Sequence, residues 1–169
     1  LKPANYINTP GKGLVTVAVN GEKLTIMNLL GQVFLRPNVA NPFYTFDEFM
    51  PKTEGFVFID FHAEATSEKN TFGHYVDGRA GALVGTHTHV QTSDERILPK
   101  GTAYMTDVGM CGPINGSIGA DLTQVTPSFL HGYPFKLEPA ACPVQLNGVV
   151  ITVENGKATA IERVRRMIE

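Results

Sequence analysis

No stretch of this sequence stays apolar for anything near the roughly 18 residues that suggest a membrane-spanning helix, and its opening LKPANYINTPGKG lacks the pattern of a signal peptide. A membrane partner is therefore not expected. Cysteine is scarce: Cys111 and Cys142 are the only two, and they form neither a C-x-x-C pair nor a dense, even framework. They read as free thiols of a reducing compartment, which makes cytoplasm the expected location. Positive charge is not in excess either. Fourteen Lys and Arg stand against 16 Asp and Glu, a formal net charge of −2, so no field draws in a nucleic-acid polymer or an anionic membrane. The one basic cluster, Arg163, Arg165 and Arg166 in IERVRRMIE, alternates with apolar residues, as the solvated face of a last strand or helix does. An initial methionine is also lacking, and the chain opens in a turn-like segment with Pro3, Pro10, Gly11 and Gly13, as though cut from something longer.

What is present suits a globular domain: 169 residues, 43% of them hydrophobic, suffice for one sizeable core. LVTVAVNGEKLTIMNLL alternates apolar and polar residues on both sides of Asn20-Gly21, a two-residue turn whose positive φ values match the twist of a hairpin. VQLNGVVITVENGKATAIERV repeats the pattern around Asn155-Gly156, with the last strand expected to end near Arg163. Between the hairpins lie three short apolar runs, GFVFIDF, AGALVG and TAYMTDVG, too short for typical helices and read as buried strands. Helices are few. TFDEFMPK carries the Thr45 and Glu48 spacing of a capping box before Pro51 stops it, and residues 66 to 76 make a better helix. From Gly109 to Pro143 the chain is rich in Gly, Pro and Asn and reads mainly as loop, with one short helix around residues 121 to 131. The fold class is α/β, strand-rich with hairpins.

Each buried run leads into polar residues able to do chemistry: His62 and Glu64 after the first, His87 and His89 after the second, Asp107 at the end of the third. In open α/β sheets ligand and catalytic groups gather at such strand ends. Neutral imidazole is the commonest protein ligand of first-row metals. Two histidines at i and i+2 share a face on an extended strand, and where the strand breaks into a loop they can diverge towards two adjacent ions. His62, His87 and His89 are thus the candidate metal ligands, whereas His74 and His131 read as structural. Asp107 either caps a turn or orients a metal-bound imidazole, and the second is preferred. Glu64 and Glu68 are expected to cap the following helix. Gly109, Gly112 and Pro113 form an ordinary loop or a backbone surface beside a bound phosphate. Three imidazoles could hold a single zinc, but a two-metal site also needs oxygen ligands, and no obvious motif here supplies them.

PANY, TPGKG, IDFHAEATSEK, DGR, VGTHTHVQTSDERILPKGTAYMTDVGMCGP and PVQLNGV together resemble bacterial calcineurin-like metallophosphoesterases that act as 2′,3′-cyclic-nucleotide phosphodiesterases. The resemblance runs from Lys2 to about Arg163. It implies a four-layer α/β/β/α metallophosphoesterase sandwich with a dinuclear site, His62 and His87 on one ion and His89 on the other. It also implies two divalent or trivalent ions, iron or manganese with magnesium or zinc as alternatives, and a small-molecule phosphodiester or cyclic nucleotide as substrate. Homo-oligomers are left open. Family members begin with Gly-Asp, Asn-Gly-Glu-Asn and Gly-Asn-His segments that carry the oxygen ligands and a general-acid histidine. These segments do not occur here, so residues 1–169 are expected to be the C-terminal portion of a single metallophosphoesterase domain whose isolated activity is in doubt. The rival readings are a mononuclear zinc hydrolase and a non-catalytic metal- or ligand-binding fragment.

Overall fold

The computed structural model describes residues 1–36, 38–132, 134, 136–141 and 143–168. Cys142 lies outside them, while Cys111 is a free, exposed thiol. Both Asn-Gly pairs turn hairpins. Strands β1 (Leu14–Val19) and β2 (Glu22–Leu30) meet at Asn20 and Gly21, which take φ values of 51° and 86°. Strands β8 (Val144–Glu154) and β9 (Lys157–Ile168) meet at Asn155 and Gly156, at 51° and 73°. β9 outruns its expected end at Arg163, because Asn147, Leu146 and Gln145 continue the ladder with Arg165, Arg166 and Met167.

The three apolar runs become β3 (Phe56–His62), β4 (Ala82–Thr86) and the short β6 (Ala103–Met105). With β1, β2 and β5 (Arg96–Ile97) they form a six-stranded sheet in the order β1-β2-β3-β4-β6-β5. β2, β3, β4 and β6 run parallel, and the two edge strands are antiparallel. A crossover helix, α2 (Thr66–Val76), links β3 to β4. Helix α1 (Pro42–Phe49) starts earlier than the capping box suggested. Asn41 Oδ1 accepts from the amides of Phe43 and Tyr44, and Pro42 occupies the first helical position. An Asn-Pro start satisfies orphan amides and presets φ together, so it takes precedence over Thr45 four residues on. A single 3₁₀ turn (Met50–Lys52) follows α1.

Side chains alternate between the two faces of the sheet, as strand geometry requires. Val57, Ile59, Phe61 and Leu83 point into the main core with Phe46 of α1 and Phe72 and Val76 of α2. Phe56, Phe58, Ala82 and Ala103 point the other way and meet Ile151, Ala158 and Ile161 of the second hairpin. Helices, sheet and second sheet are therefore stacked in that order. The second sheet is completed by β7 (Gly112–Pro113), antiparallel to β8. Helix α3 (Leu122–His131) lies in the Gly/Pro-rich segment, capped by the Asp121 carboxylate and closed by Gly132 at φ 74°.

Candidate metal centre

In the parallel pairing of β3 with β4, His62 stands beside Thr86, so the two strands end level and His87 follows at once. The imidazoles of His62 and His87 meet edge to face, with ring centroids 4.8 Å apart. His62 Nε2 and His87 Nδ1 lie 3.1 Å from each other. Which of these nitrogens carries a proton follows from their neighbours. The Asp60 carboxylate accepts from Asn28 Nδ2 at 2.7 Å and from the Thr86 hydroxyl at 2.9 Å. Thr86 has then used its only proton and can only accept, so at 3.1 Å His62 Nδ1 must be the donor. The Nε2 of a neutral His62 therefore bears a lone pair. On the other ring, His87 Nε2 faces Glu64 Oε2 at 2.7 Å and must donate, which leaves Nδ1 of the neutral ring bare. Burial, then the adjacent His87, holds His62 below the usual imidazole range despite the opposing pull of Asp60. Two lone pairs thus converge on one point that only a proton or a cation can fill. Their separation matches that of neighbouring ligands each about 2.1 Å from one ion.

The carboxylate that orients an imidazole is Glu64, not Asp107. Asp107 is buried and grips backbone instead: Oδ2 accepts from the Thr88 amide at 3.0 Å and Oδ1 from the Gly109 amide at 2.9 Å. Its third partner is Lys69 Nζ at 2.8 Å, from an equally buried side chain on α2. Burial pushes the Asp107 carboxyl up, but Lys69 and the two amides outweigh it, and the group lies below the ordinary aspartate range. Neither glutamate caps α2, whose N-cap Ala65 offers no side-chain bond. Glu68 reaches back to the amides of Gln32 and Val33 at the end of β2.

His89 does not join the other two. Its Nδ1 donates to the Ile118 carbonyl at 3.2 Å, and among the described residues no three His, Cys, Asp or Glu side chains gather as a set that could hold an ion. His87 at φ 114° and His89 at φ 65° both have left-handed backbone, an uncommon state for residues with a Cβ. The chain therefore breaks sharply after Thr86 and parts the two imidazoles. Gly109 is structural: a Cβ there would lie 2.9 Å from Gln91 and Asn147 atoms. Gly112 sits in β7 opposite Gln145. His74 and His131 lie in the last turns of α2 and α3. Beside His89 opens a cleft of about 560 Å³ lined by Gln91, Gln145, Asn147, Arg163, Arg165 and Arg166. The C-terminal arginines all lie on β9, two of them past its expected end, and they also border the histidine turn.

The model of the family described as YmdB-like protein matches residues 1–164. The chain belongs to the YmdB-like family. It is 49% identical over 170 residues to a 2′,3′-cyclic-nucleotide 2′-phosphodiesterase of Bacillus subtilis, covering 97% of this chain and 64% of that relative. Among solved structures, a hypothetical protein of Thermus thermophilus superposes with a TM-score of 0.95 at 38% identity, over 99% of this chain and 67% of its own. A chain described as a novel phosphatase from Mycoplasma pneumoniae gives 0.89 at 40% identity, over 99% and 61%. The chain spans about three fifths of the length of the curated relatives it matches. Sequence reasoning placed the three histidines and Asp107 near one another but missed Asn28, Asp60, Thr86 and Lys69. The parallel register, invisible in one dimension, brings Asn28, Asp60 and Thr86 together, and Lys69 enters from the crossover helix α2.

Proposed function

We propose that this chain forms part of a metal-dependent phosphodiesterase acting on small phosphodiesters such as 2′,3′-cyclic nucleotides, through a dinuclear calcineurin-like centre. The observation that carries the reading is the convergence of the bare His62 Nε2 and His87 Nδ1 at 3.1 Å, with both rings locked from behind by Thr86 and Glu64. Such backing is what metal-binding imidazoles use to fix tautomer and direction. His62 and His87 would hold one ion and His89 the other, with the remaining oxygen ligands and the general acid supplied from outside these residues. The stacked helix, sheet and sheet would then belong to a four-layer α/β/β/α sandwich. Iron or manganese suits the imidazoles better than magnesium, with zinc as an alternative. When bound, such ions supply Lewis acidity towards a phosphoryl oxygen.

The chain's own part is to present nitrogen lone pairs in a fixed direction and to receive an anion. The cleft beside His89 suits the second task, since Arg165 and Arg166 line it, with Arg163 held by Glu95 at 2.6 Å. A mononuclear zinc site on all three histidines is disfavoured, because the three do not converge. The B. subtilis relative, named for cyclic-nucleotide hydrolysis, supports the substrate class.

The test is metal content per chain, measured on untagged protein prepared without chelator, for the natural sequence and for His62→Ala and His87→Ala. Bound metal that is lost in both variants is expected. Equal metal in all three preparations would overturn the reading.

A further inference from the structure

Lys69 and Asp107 form an ion pair with side chains only 0% and 1% exposed. A pair so deeply buried is weak evidence of a stabilising role, because desolvation opposes the attraction and apolar replacements often serve the fold as well. Its placement suggests another purpose. The carboxylate oxygen that receives Lys69 Nζ also receives the amide of Thr88, the residue between His87 and His89. The flanking backbone is left-handed on both sides, at 114° and 65°, a state that persists only where the surroundings over-determine it. Asp107 is itself pinned. Its neighbour Val108 donates to the Gly85 carbonyl at 2.9 Å, and a Cβ at Gly85 would come within 1.7 Å of the Thr106 carbonyl oxygen. Strand β4, the Thr106–Gly109 segment and the Lys69 stem are packed without slack around this point, since the same Cβ would also lie 3.0 Å from Lys69 Cδ.

We propose that Lys69 and Asp107 are positioning residues: the buried pair anchors the Thr88 amide and so holds the His87–Thr88–His89 turn in the form that aims His87 Nδ1 at His62 Nε2 and turns His89 aside. The charge of Lys69 lets a carboxylate remain in a dry site, and the carboxylate supplies two acceptor oxygens for the amides on either side of it. The metal-binding consequence rests on the function proposed above, but the effect on ring geometry does not.

The experiment compares the natural chain, the apolar double variant Lys69→Met/Asp107→Leu, and Asp107→Asn. The readouts are ring-nitrogen NMR signals of the histidines at fixed pH without metal, and Co²⁺ affinity. In the double variant the His87 and His89 signals should move, the fold should persist by circular dichroism, and Co²⁺ affinity should fall 10- to 100-fold, as for loss of other groups that orient metal ligands. Asp107→Asn keeps one oxygen able to receive both Lys69 and Thr88 but turns an NH₂ towards the Gly109 amide and leaves the Lys69 charge unpaired, so it should move the His87 and His89 signals less than the double variant does. Unchanged signals in a folded double variant would overturn the proposal. Should that variant not fold, hydrogen exchange on the natural chain decides: a Thr88 amide as protected as those of β3 and β4 supports the anchor, and one exchanging like an open loop refutes it. If the natural chain binds no Co²⁺, the predicted effect on affinity fails for this chain while the ring-signal comparison still judges the turn.

Discussion

At the scale of single residues, function is set by who has a proton to give. Thr86 contributes one hydroxyl, yet by donating it to Asp60 it dictates the tautomer of His62. Thr86→Val keeps the shape and removes this control, so under the proposed function metal affinity should drop 10- to 100-fold while the melting temperature stays within a few degrees; parallel calorimetric titrations and melts would check both. Asp94 shows the same economy in a structural setting. Its carboxylate accepts from the Thr92 hydroxyl at 2.6 Å and from the Thr106 hydroxyl and amide at 2.5 and 3.1 Å. Burial raises its pKa, but these bonds and Arg96 outweigh it, so the folded value lies below the ordinary one. The stabilisation is therefore complete above the unfolded pKa of about 4 and is lost as pH falls through the lower folded value. Asp94→Asn should melt below the natural chain at neutral pH, and the gap should close on acidification; a gap independent of pH would contradict this account.

At the scale of elements, the readable parts were those where one local cause suffices. Asn20-Gly21 and Asn155-Gly156 fixed two hairpins because only such residues take the required turn cheaply, and GFVFIDF and AGALVG announced buried strands by composition. The histidines at their ends could be suspected on chemistry alone. The start of α1 was misread because Thr45 and Glu48 mimic a cap, whereas Asn41 and Pro42 provide one. Asp107 is expected at an imidazole and meets backbone amides instead, because a carboxylate near two histidines in sequence says nothing about whether it meets ring or backbone. Glu64 was likewise taken for a helix cap, and its reach to His87 depends on where β4 ends relative to β3. Gly85 carries a sharp prediction. A methyl group there would meet the Thr106 carbonyl at 1.7 Å, a clash with backbone that no side-chain rotation relieves. Gly85→Ala should cost about 3 kcal/mol or more, above the usual range for overpacking, as judged by urea unfolding.

At the scale of the whole molecule, one side chain ties the histidine turn to the second sheet. Gln91, two residues after His89, donates through Nε2 to carbonyls of Val108, Gly148 and Val164 at 3.3, 3.1 and 3.2 Å, the last two on opposite strands of the hairpin. Between the sheets themselves the buried centre of the contact is Ala82, Ala103 and Ala158, flanked by Phe56, Phe58, Ile151 and Ile161. Gln91→Ala should therefore cost about 1 kcal/mol, the typical worth of hydrogen bonds to half-buried acceptors. It should also raise hydrogen exchange along β8 and β9 more than along β3. Uniformly raised exchange would mean that the hairpin is held by its apolar face alone.

The parallel alignment of β2, β3 and β4 places their C-terminal residues Leu30, His62 and Thr86 in one row, while the Asn20-Gly21 turn lies at the opposite end of β2. Eight steps of strand separate Glu22 from Leu30, about 26 Å at 3.3 Å per residue. A fluorophore or short peptide tag placed at Asn20-Gly21 would thus report on this protein from a fixed distance, without touching the chemistry at the other end of the ruler.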